Sequence, residues 1–237
     1  MPSLALEVES TPDEVVASAL KRFEQDRIAI SFSGAEDVVL IDIAAKLVGN
    51  AFSVFTLDTG RLHAETYEFI DRVREHYDIQ IEVLSPDNWD VEELVREKGL
   101  FSFYKDGHTQ CCGIRKIASL ERKLGELDAW ITGQRRDQSA TRTNVPHEQV
   151  DTAFSTRTHE IVKFNPLASW IADDVWSYIR KHKVPYNVLH DQGYKSIGCA
   201  PCTRPIKADE PERAGRWWWE HEDDKECGLH AQNLSSD

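Results

Sequence analysis

The sequence predicts an α/β fold with a parallel, twisted sheet and helices on both of its faces. Up to about residue 131, short apolar segments of strand length alternate with segments of helical character. This alternation is typical of a parallel sheet covered on both sides. It stops at about residue 145, and a loop-rich C-terminal elaboration follows. With 237 residues, the chain can bury one substantial core.

Each regular element has a local reason. The first helix is predicted at "STPDEVVASALKRF", where Ser10 or Thr11 can cap the start and Pro12 suits the first turn. Buried strands are predicted at "RIAISF", "AFSVFTL", "IQIEVL" and "AWIT". The helices that accompany them are predicted at "GAEDVVLIDIAAKLVG", which ends at Gly49, and at "HAETYEFIDRVREHY", "DVEELVREKG" and "CCGIRKIASLERKLGE".

The C-terminal part follows a different plan. The segments "EQVDTAF" and "HEIVKFNPL" predict a β-hairpin, "ADDVWSYIRKHK" predicts a helix, and "DEPERAGRWWWEH" predicts a last helix. The chain contains no internal repeat and no low-complexity linker. We therefore predict one domain over residues 1–220, followed by a mobile tail over residues 221–237.

Composition narrows the function classes. The formal net charge of −13 argues against nucleic acid as a partner. No apolar run is long enough to span a membrane, and the N-terminus lacks the features of a signal peptide, so we expect a cytoplasmic protein. Basic residues still cluster in "QRRDQSATR" and "ERAGR", which suggests a pocket for a small anion. The sequence leaves the oligomeric state open, a homo-oligomer included.

Polar loops follow three of the predicted strands. Ligands of open α/β sheets bind beyond the carboxyl ends of the strands. The loop "SFSGAED" follows the first strand, where backbone N–H groups and the helix dipole can hold an anion. "LDTGR" follows the second strand, and "ITGQRRDQSATR" adds Arg135, Arg136 and Arg142 after the fourth. Each loop alone is an ordinary connection, but together they predict a site for a nucleotide or another anion.

Four of the five cysteines form two pairs. Cys199 and Cys202 are spaced so that both sulfurs can reach one metal centre, whereas Cys111 and Cys112 are adjacent. Because neighbouring side chains diverge, the adjacent pair suits the separated corners of a [4Fe–4S] cluster better than one zinc ion. A redox disulfide at "CAPC" is the competing interpretation. If "CCGIRK" begins a helix, Lys116 shares a face with Cys112.

Two further features belong to the C-terminal region. Arg213 and Arg216 would share a face of the predicted last helix and could hold one anion between them. The fifth cysteine, Cys227, lies in "KECGLH" with basic groups nearby, as a nucleophilic thiolate requires. A terminal cysteine without a function is the alternative.

Together these segments resemble the assimilatory adenylyl-sulfate reductases, which are relatives of the phosphoadenylyl-sulfate reductases. The resemblance runs from about residue 27 to residue 230 through "SFSGAED", "LDTGR", "CCGIRK", "TGQRRDQSATR", "GCAPCTRP", "RWWWE" and "KECGLH". The adjacent "CC" with the later "CxxC" marks the iron–sulfur branch, which prefers adenosine 5′-phosphosulfate. The resemblance implies an adenine nucleotide α-hydrolase-like fold, related to ATP pyrophosphatases, and a role in sulfate assimilation and cysteine biosynthesis.

The resemblance also implies residue roles. Cys111, Cys112, Cys199 and Cys202 would hold the [4Fe–4S] cluster. Cys227 would attack the substrate sulfur and expel AMP, and reduced thioredoxin would release sulfite from the resulting S-sulfocysteine. The residues implied to bind the substrate are Ser31, Ser33, Gly34, Asp37, Leu57, Lys116, Gly133, Arg142, Arg213, Arg216 and His230.

Three other functions are weighed against this one. A phosphoadenylyl-sulfate reductase is the nearest alternative. An ATP-dependent adenylating enzyme, such as a tRNA thiolation enzyme, would carry an SGGxDS-like loop, but Ala35 and Val38 replace its second Gly and its Ser. A non-enzymatic alternative is an iron–sulfur redox sensor or regulator with Cys227 as a reporter thiol, but no basic recognition helix supports it.

Overall fold

The computed structural model describes residues 10–221 and has a mostly parallel sheet at its centre. The described strands are β1 (Ile28–Ser31), β2 (Ser53–Leu57), β3 (Ile81–Leu84), β4 (Ala129–Ile131), β5 (Glu148–Val150) and β6 (Val162–Phe164). Their order across the sheet is β3-β2-β1-β4-β6-β5. Neighbouring strands are parallel except β5 and β6, which pair antiparallel as the predicted hairpin requires. The four predicted parallel strands are confirmed, and β6 extends the sheet beside β4.

Helices connect and cover these strands. Their bounds are α1 (Pro12–Arg22), α2 (Ala35–Val48), α3 (Ala64–Tyr77), α4 (Asn88–Lys98), α5 (Phe103–Asp106), α6 (Thr109–Cys112), α7 (Ala118–Leu124) and α8 (Ala172–His182). A π-helical turn, Gly113–Ile117, joins α6 to α7. Thr11 caps α1 in a capping box with Glu14, as its sequence indicates. The predicted helix over "CCGIRK" therefore exists, with a π-helical turn of the kind often found at functional sites.

The two faces of the sheet are covered by different helices. Along β1, Ile28 and Ile30 pack in a core with buried residues of α1, α2, α3 and α8. Ala29, which points to the opposite face, packs in a second core with Leu120 and Leu124 of α7. Successive residues of a strand face opposite sides, so this division follows from the pleat. The prediction of helices on both faces is confirmed.

The predicted last helix over "DEPERAGRWWWEH" is wrong. The chain forms turns there, and an isolated antiparallel bridge joins Thr203 to Arg216. Gly215 lies so close to the Arg204 carbonyl that a Cβ would come within 2.3 Å of its oxygen. Trp217 has a φ of +42°, outside the helical region. Contacts with residues 198–206 thus outweigh the helical pattern, and Arg213 and Arg216 do not share a helix face.

Candidate active site

A large cavity opens at the carboxyl edge of the sheet. Its volume is about 1340 Å³, including the part open to solvent. The loops after β1, β2 and β4 line it together with segments 195–199 and 212–216. All described residues that the resemblance assigns to the substrate line this cavity: Ser31, Ser33, Gly34, Asp37, Leu57, Lys116, Gly133, Arg142, Arg213 and Arg216. His230 and Cys227 lie outside the described residues.

Asp37 organises the loop between β1 and α2. It is buried, and one carboxylate oxygen accepts hydrogen bonds from the Ser33 N–H at 2.8 Å, the Ser33 hydroxyl at 2.8 Å and the Gly34 N–H at 3.0 Å. The other oxygen accepts from the Gly133 N–H at 3.0 Å, which ties the end of β4 to this loop. A Cβ at position 133 would come within 2.6 Å of Asp37, so glycine is required for this approach.

This geometry corrects one expectation. Free N–H groups of the "SFSGAED" loop are predicted to hold an anion, but those of Ser33 and Gly34 donate to Asp37. Burial, followed by the charge of Glu36, raises the pKa of Asp37 to about 6. The loop therefore shapes the cavity with an internal carboxylate, and side chains supply the positive charge.

Besides the exposed Lys195, four cations line the cavity: Lys116, Arg142, Arg213 and Arg216. Arg213 is partly buried, and the other three are buried. Arg216 lies over the ring of Trp217, with 4.6 Å between its Cζ and the ring centroid. It also packs on Gly198, where a Cβ would come within 2.6 Å of the guanidinium. Several cations in one cavity favour a ligand with more than one negative charge, since desolvated charges need counter-charges.

The four cysteines lie around a second, smaller cavity of about 340 Å³, including the part open to solvent. Cys111 and Cys112 come from the end of α6, whereas Cys199 and Cys202 flank the 3₁₀ turn Ala200–Cys202. All four are free thiols in one cluster with Phe103 and Trp217. The Thr59 hydroxyl lies 3.2 Å from Cys199 Sγ. Burial raises the pKa of the Cys202 thiol to about 12 and also raises that of Cys111.

The donor set of this cavity fits a metal–sulfur cluster. Cations surround the thiols, and Arg115, Arg61 and Lys116 each oppose the effect of burial on the pKa of Cys111. Within residues 10–221, Arg115 Nε and Arg61 Nη1 are buried without a hydrogen-bond partner. No three His, Cys, Asp or Glu side chains of that part of the chain are placed to bind a single metal ion. Four thiols facing cations suit an anionic group larger than one ion.

Lys116 connects the two cavities. Its side chain is 8% exposed and lines both of them, as does Cys199. The ammonium lies 5.8 Å from the ring centroid of Trp217, which is next to Arg216 in the chain. The large cavity therefore adjoins the smaller, cysteine-lined cavity at one buried cation, Lys116. The sequence indicates this proximity through the spacing of Lys116 from Cys112.

Several residues of the site carry no clear sequence signal. Thr59 and Arg61 of "LDTGR" reach the cysteine cavity, although that loop is predicted only at the nucleotide site. Gln134 and His190 line the large cavity, and the Gln134 amide and His190 Nε2 have no hydrogen-bond partner among residues 10–221. No local sequence pattern places these polar groups at the two cavities; the tertiary fold does.

Two of the arginines predicted at the nucleotide or anion site do not line the large cavity. Arg135 lies outside the large cavity and pairs with Glu36, Glu212 and Asp137. Arg136 donates from Nε to the Val145 carbonyl at 2.8 Å. Of the three arginines in "QRRDQSATR", only Arg142 lines the large cavity.

Comparisons with known proteins agree with this geometry. The family described as "Phosphoadenosine phosphosulfate reductase domain" matches residues 27–205. An adenosine 5′-phosphosulfate reductase from Pseudomonas aeruginosa (strain LESB58) is 58% identical over 238 residues, which cover 100% of this chain and 88% of that protein. The probable 5′-adenylylsulfate reductase 1, chloroplastic, of Oryza sativa subsp. japonica is 53% identical over 98% of this chain and 50% of that protein.

Solved structures support the same fold. A phosphoadenylyl-sulfate reductase from Candida auris, in a phosphate complex, has a TM-score of 0.67 and 27% identity, covering 83% of this chain and 92% of that one. An FMN adenylyltransferase from Candida glabrata has a TM-score of 0.59 at 14% identity, covering 94% of this chain and 81% of that one, and shares the fold alone. The predicted nucleotide α-hydrolase-like architecture is thus confirmed, and the chain belongs to the phosphoadenosine phosphosulfate reductase family.

Proposed function

We propose that this protein reduces adenosine 5′-phosphosulfate to sulfite and AMP in sulfate assimilation. The observation that carries the proposal is the shared wall of the two cavities. Buried Lys116 lines the large cavity together with Arg142, Arg213 and Arg216, and it also lines the smaller cavity with its four cysteines. The name of the Pseudomonas aeruginosa relative supports the same substrate. A phosphosulfate carries negative charge on two adjoining groups, which several convergent cations can bind together.

The binding mode follows from the cavity. The adenosine part occupies the strand ends, where Leu57 and Gly133 offer backbone groups beside the loop held by Asp37. The phosphosulfate lies among Lys116, Arg142, Arg213 and Arg216. His230, which is outside the described residues, is proposed as a further ligand of this anion. Preorganised cations stabilise the charge that develops on the leaving AMP phosphate, which is the main demand of the reaction.

The proposed reaction needs no reductant other than thioredoxin. The Cys227 thiolate attacks the substrate sulfur, an S–S bond forms, and the S–O bond to AMP breaks. A thiolate of reduced thioredoxin then attacks Cys227 Sγ, and sulfite leaves with the electron pair of the S–S bond. The second thioredoxin thiol closes the thioredoxin disulfide and returns Cys227 to a thiol. The dithiol thus supplies both electrons.

We infer that Cys111, Cys112, Cys199 and Cys202 hold a [4Fe–4S] cluster. When bound, this cluster would join the helical segment 109–117 to segment 199–202 and set the electrostatic potential beside Lys116. Lys116 itself orients the phosphosulfate, and Arg115 and Arg61 compensate thiolate charge. Free thiols suit a reducing compartment, so we infer a cytoplasmic location. Among residues 10–221, no helix has the length and apolarity needed to cross a bilayer.

The test is intact-mass analysis of the metal-loaded protein after incubation with adenosine 5′-phosphosulfate and without thioredoxin. We expect a sulfonate adduct that peptide mapping locates on Cys227 and that reduced thioredoxin discharges as sulfite. A phosphoadenylyl-sulfate reductase is the second candidate, since the matched family and the Candida auris structure carry that name. Faster labelling by the 3′-phosphorylated substrate would favour it. No adduct with either substrate would contradict both.

Asp37 should make substrate affinity depend on pH. Its pKa of about 6 lies above the usual carboxyl value, so the carboxylate is half protonated when the pH has fallen to about 6. A protonated carboxyl cannot accept all four hydrogen bonds, and the loop loosens. We expect the Kd of adenosine 5′-phosphosulfate to rise between pH 7 and pH 5. The Asp37→Asn variant should bind about 10- to 100-fold more weakly at pH 7 and vary little with pH.

Asp42→Asn is the matched control for this titration. Asp42 is also buried in α2, but it accepts hydrogen bonds from Tyr77 and Tyr178 away from the cavity. Its variant should keep the wild-type pH profile even if it unfolds at a lower temperature. A persistent rise of Kd at low pH in Asp37→Asn would show that another group titrates.

A further inference from the structure

Arg135 is a guanidinium enclosed by carboxylates just outside the large cavity. The residue is 1% exposed. Its Nε and Nη2 donate to Glu36 at 3.0 and 2.9 Å, and Nη2 also donates to Glu212 at 2.8 and 3.0 Å. Nη1 donates to Asp137 at 3.2 Å. Burial with several short, charge-assisted hydrogen bonds makes this a rigid junction, unlike an exposed ion pair.

The junction joins three segments that build the cavity. Glu36 is in the first turn of α2, directly before Asp37. Arg135 itself follows the end of β4. Glu212 directly precedes Arg213 in the C-terminal segment, where the chain forms turns that lead to the bridge at Arg216. The ion pair with Glu212 is therefore a direct link between the sheet and the segment that carries Arg213 and Arg216.

A second branch of the network reaches another cavity cation. Gln138 donates from Nε2 to Glu36 at 3.0 Å, and its Oε1 accepts from Arg142 Nη1 at 2.6 Å. The same oxygen accepts from the Arg135 N–H at 3.2 Å. Glu36 thus receives bonds from both Arg135 and Gln138, and the position of Arg142 depends on the same small group of side chains.

Loss of the guanidinium would leave two carboxylates facing each other. Glu36 and Glu212 each have a side chain that is 19% exposed, and both line the large cavity. The charge of Glu36 already adds to the effect of burial in raising the pKa of Glu212. Without Arg135 the two carboxylates repel each other, and the turn that carries Glu212 and Arg213 is the element that can shift, since Glu36 lies in helix α2.

We propose that Arg135 is a positioning residue that holds Arg213, Arg216 and Arg142 in register for the phosphosulfate. The proposal rests on the proposed function. Arg135 need not touch the substrate, because it acts through Glu212 and through Glu36 with Gln138. It should therefore affect recognition of the anionic end of the ligand and leave recognition of the nucleoside end, bounded by Leu57 and Gly133, intact.

The experiment compares two ligands in a Cys227→Ser background, where no turnover occurs. Adenosine reports on the nucleoside end, and adenosine 5′-phosphosulfate reports on the whole ligand. In Arg135→Gln, we expect the phosphosulfate affinity to fall at least about 10-fold and the adenosine affinity to stay unchanged. Arg135→Lys should show a smaller loss, since lysine keeps the charge without the planar fork.

Arg204→Gln is the matched control. Arg204 pairs with Glu210 at 2.6 Å in the same C-terminal region, but it is partly exposed and lies outside the cavity lining. Its variant should bind both ligands as the parent does. Equal effects of Arg135→Gln and Arg204→Gln would overturn the proposal, and so would an equal loss of adenosine and phosphosulfate binding in Arg135→Gln.

A milder variant covers the case in which Arg135→Gln does not fold. Glu212→Gln leaves Arg135 paired with Glu36 and should weaken phosphosulfate binding selectively, through the same segment. In the double variant with Arg135→Lys, the two losses should be less than additive. An unchanged phosphosulfate affinity in Glu212→Gln would overturn the proposal. Failure of the parent protein to bind either ligand would instead overturn the proposed function.

Discussion

The Cys227→Ser protein is expected to bind adenosine 5′-phosphosulfate and to form neither a covalent adduct nor sulfite. A serine hydroxyl is not ionised at neutral pH, so the variant has no thiolate to attack the substrate sulfur. Removal of an essential nucleophile lowers kcat on the order of 10⁶-fold in a well-studied hydrolase, so turnover should be undetectable. Intact mass and a sulfite assay measure the loss, and titration with the substrate measures the retained affinity.

The interpretation depends on where any residual adduct lies. The protein has four other cysteines, all of which line the smaller cavity. An adduct mapped to one of them in Cys227→Ser would remove Cys227 from the nucleophile role. Loss of substrate affinity in the variant would indicate that Cys227 takes part in binding as well.

The Cys202→Ala protein is expected to lose iron and activity together. Cys202 is buried with the other three cysteines, and without it one corner of a cluster would have no thiolate. Loss of the cluster would leave segment 199–202 without a link to α6, and the buried Lys116 would lose a fixed neighbour. Misplacement of a positioning group by about 1 Å can cost on the order of 100-fold in rate. Iron, sulfide and visible absorbance per chain measure the loss.

Cys227→Ser is the control for metal content, because Cys227 belongs to neither of the two cysteine pairs. It should contain as much iron as the wild-type protein. Adenosine binding by Cys202→Ala checks that the nucleoside end of the cavity is still folded. Full iron content in Cys202→Ala, or zinc in place of iron in the wild-type protein, would contradict the proposed [4Fe–4S] ligand set.

Local sequence patterns predicted the place of the large cavity and the residue types that line it. Strand-like segments ending in polar loops predicted β1, β2 and β4, and these loops do meet at one edge because parallel strands end on the same side. The paired cysteines predicted one shared site, since each pair is brought close by local spacing. Patterns within ten or so residues therefore determined the parallel strands, the place of the large cavity and the two cysteine pairs, whereas tertiary packing brought the two pairs together at the smaller cavity.

Other features depend on contacts between distant segments. Residues 209–221 have a helical pattern, but Gly215 packs on the Arg204 carbonyl and the chain turns instead. Two arginines of "QRRDQSATR" bond within the protein, because carboxylates and carbonyls from other segments surround them.

The sequence alone was therefore sufficient for the four parallel strands, the main helices that cover them, the order of the motifs and the chemical types at the site, whereas the strand order and the pairing of β6 with β4 came from the structure. Three-dimensional packing was needed to assign each cation to its partner and to place Asp37 as the acceptor of its own loop. The physical reason is the distance along the chain over which each kind of interaction acts. Helix and strand periodicity act between near neighbours, whereas burial and charge compensation depend on which remote groups share a water-poor space.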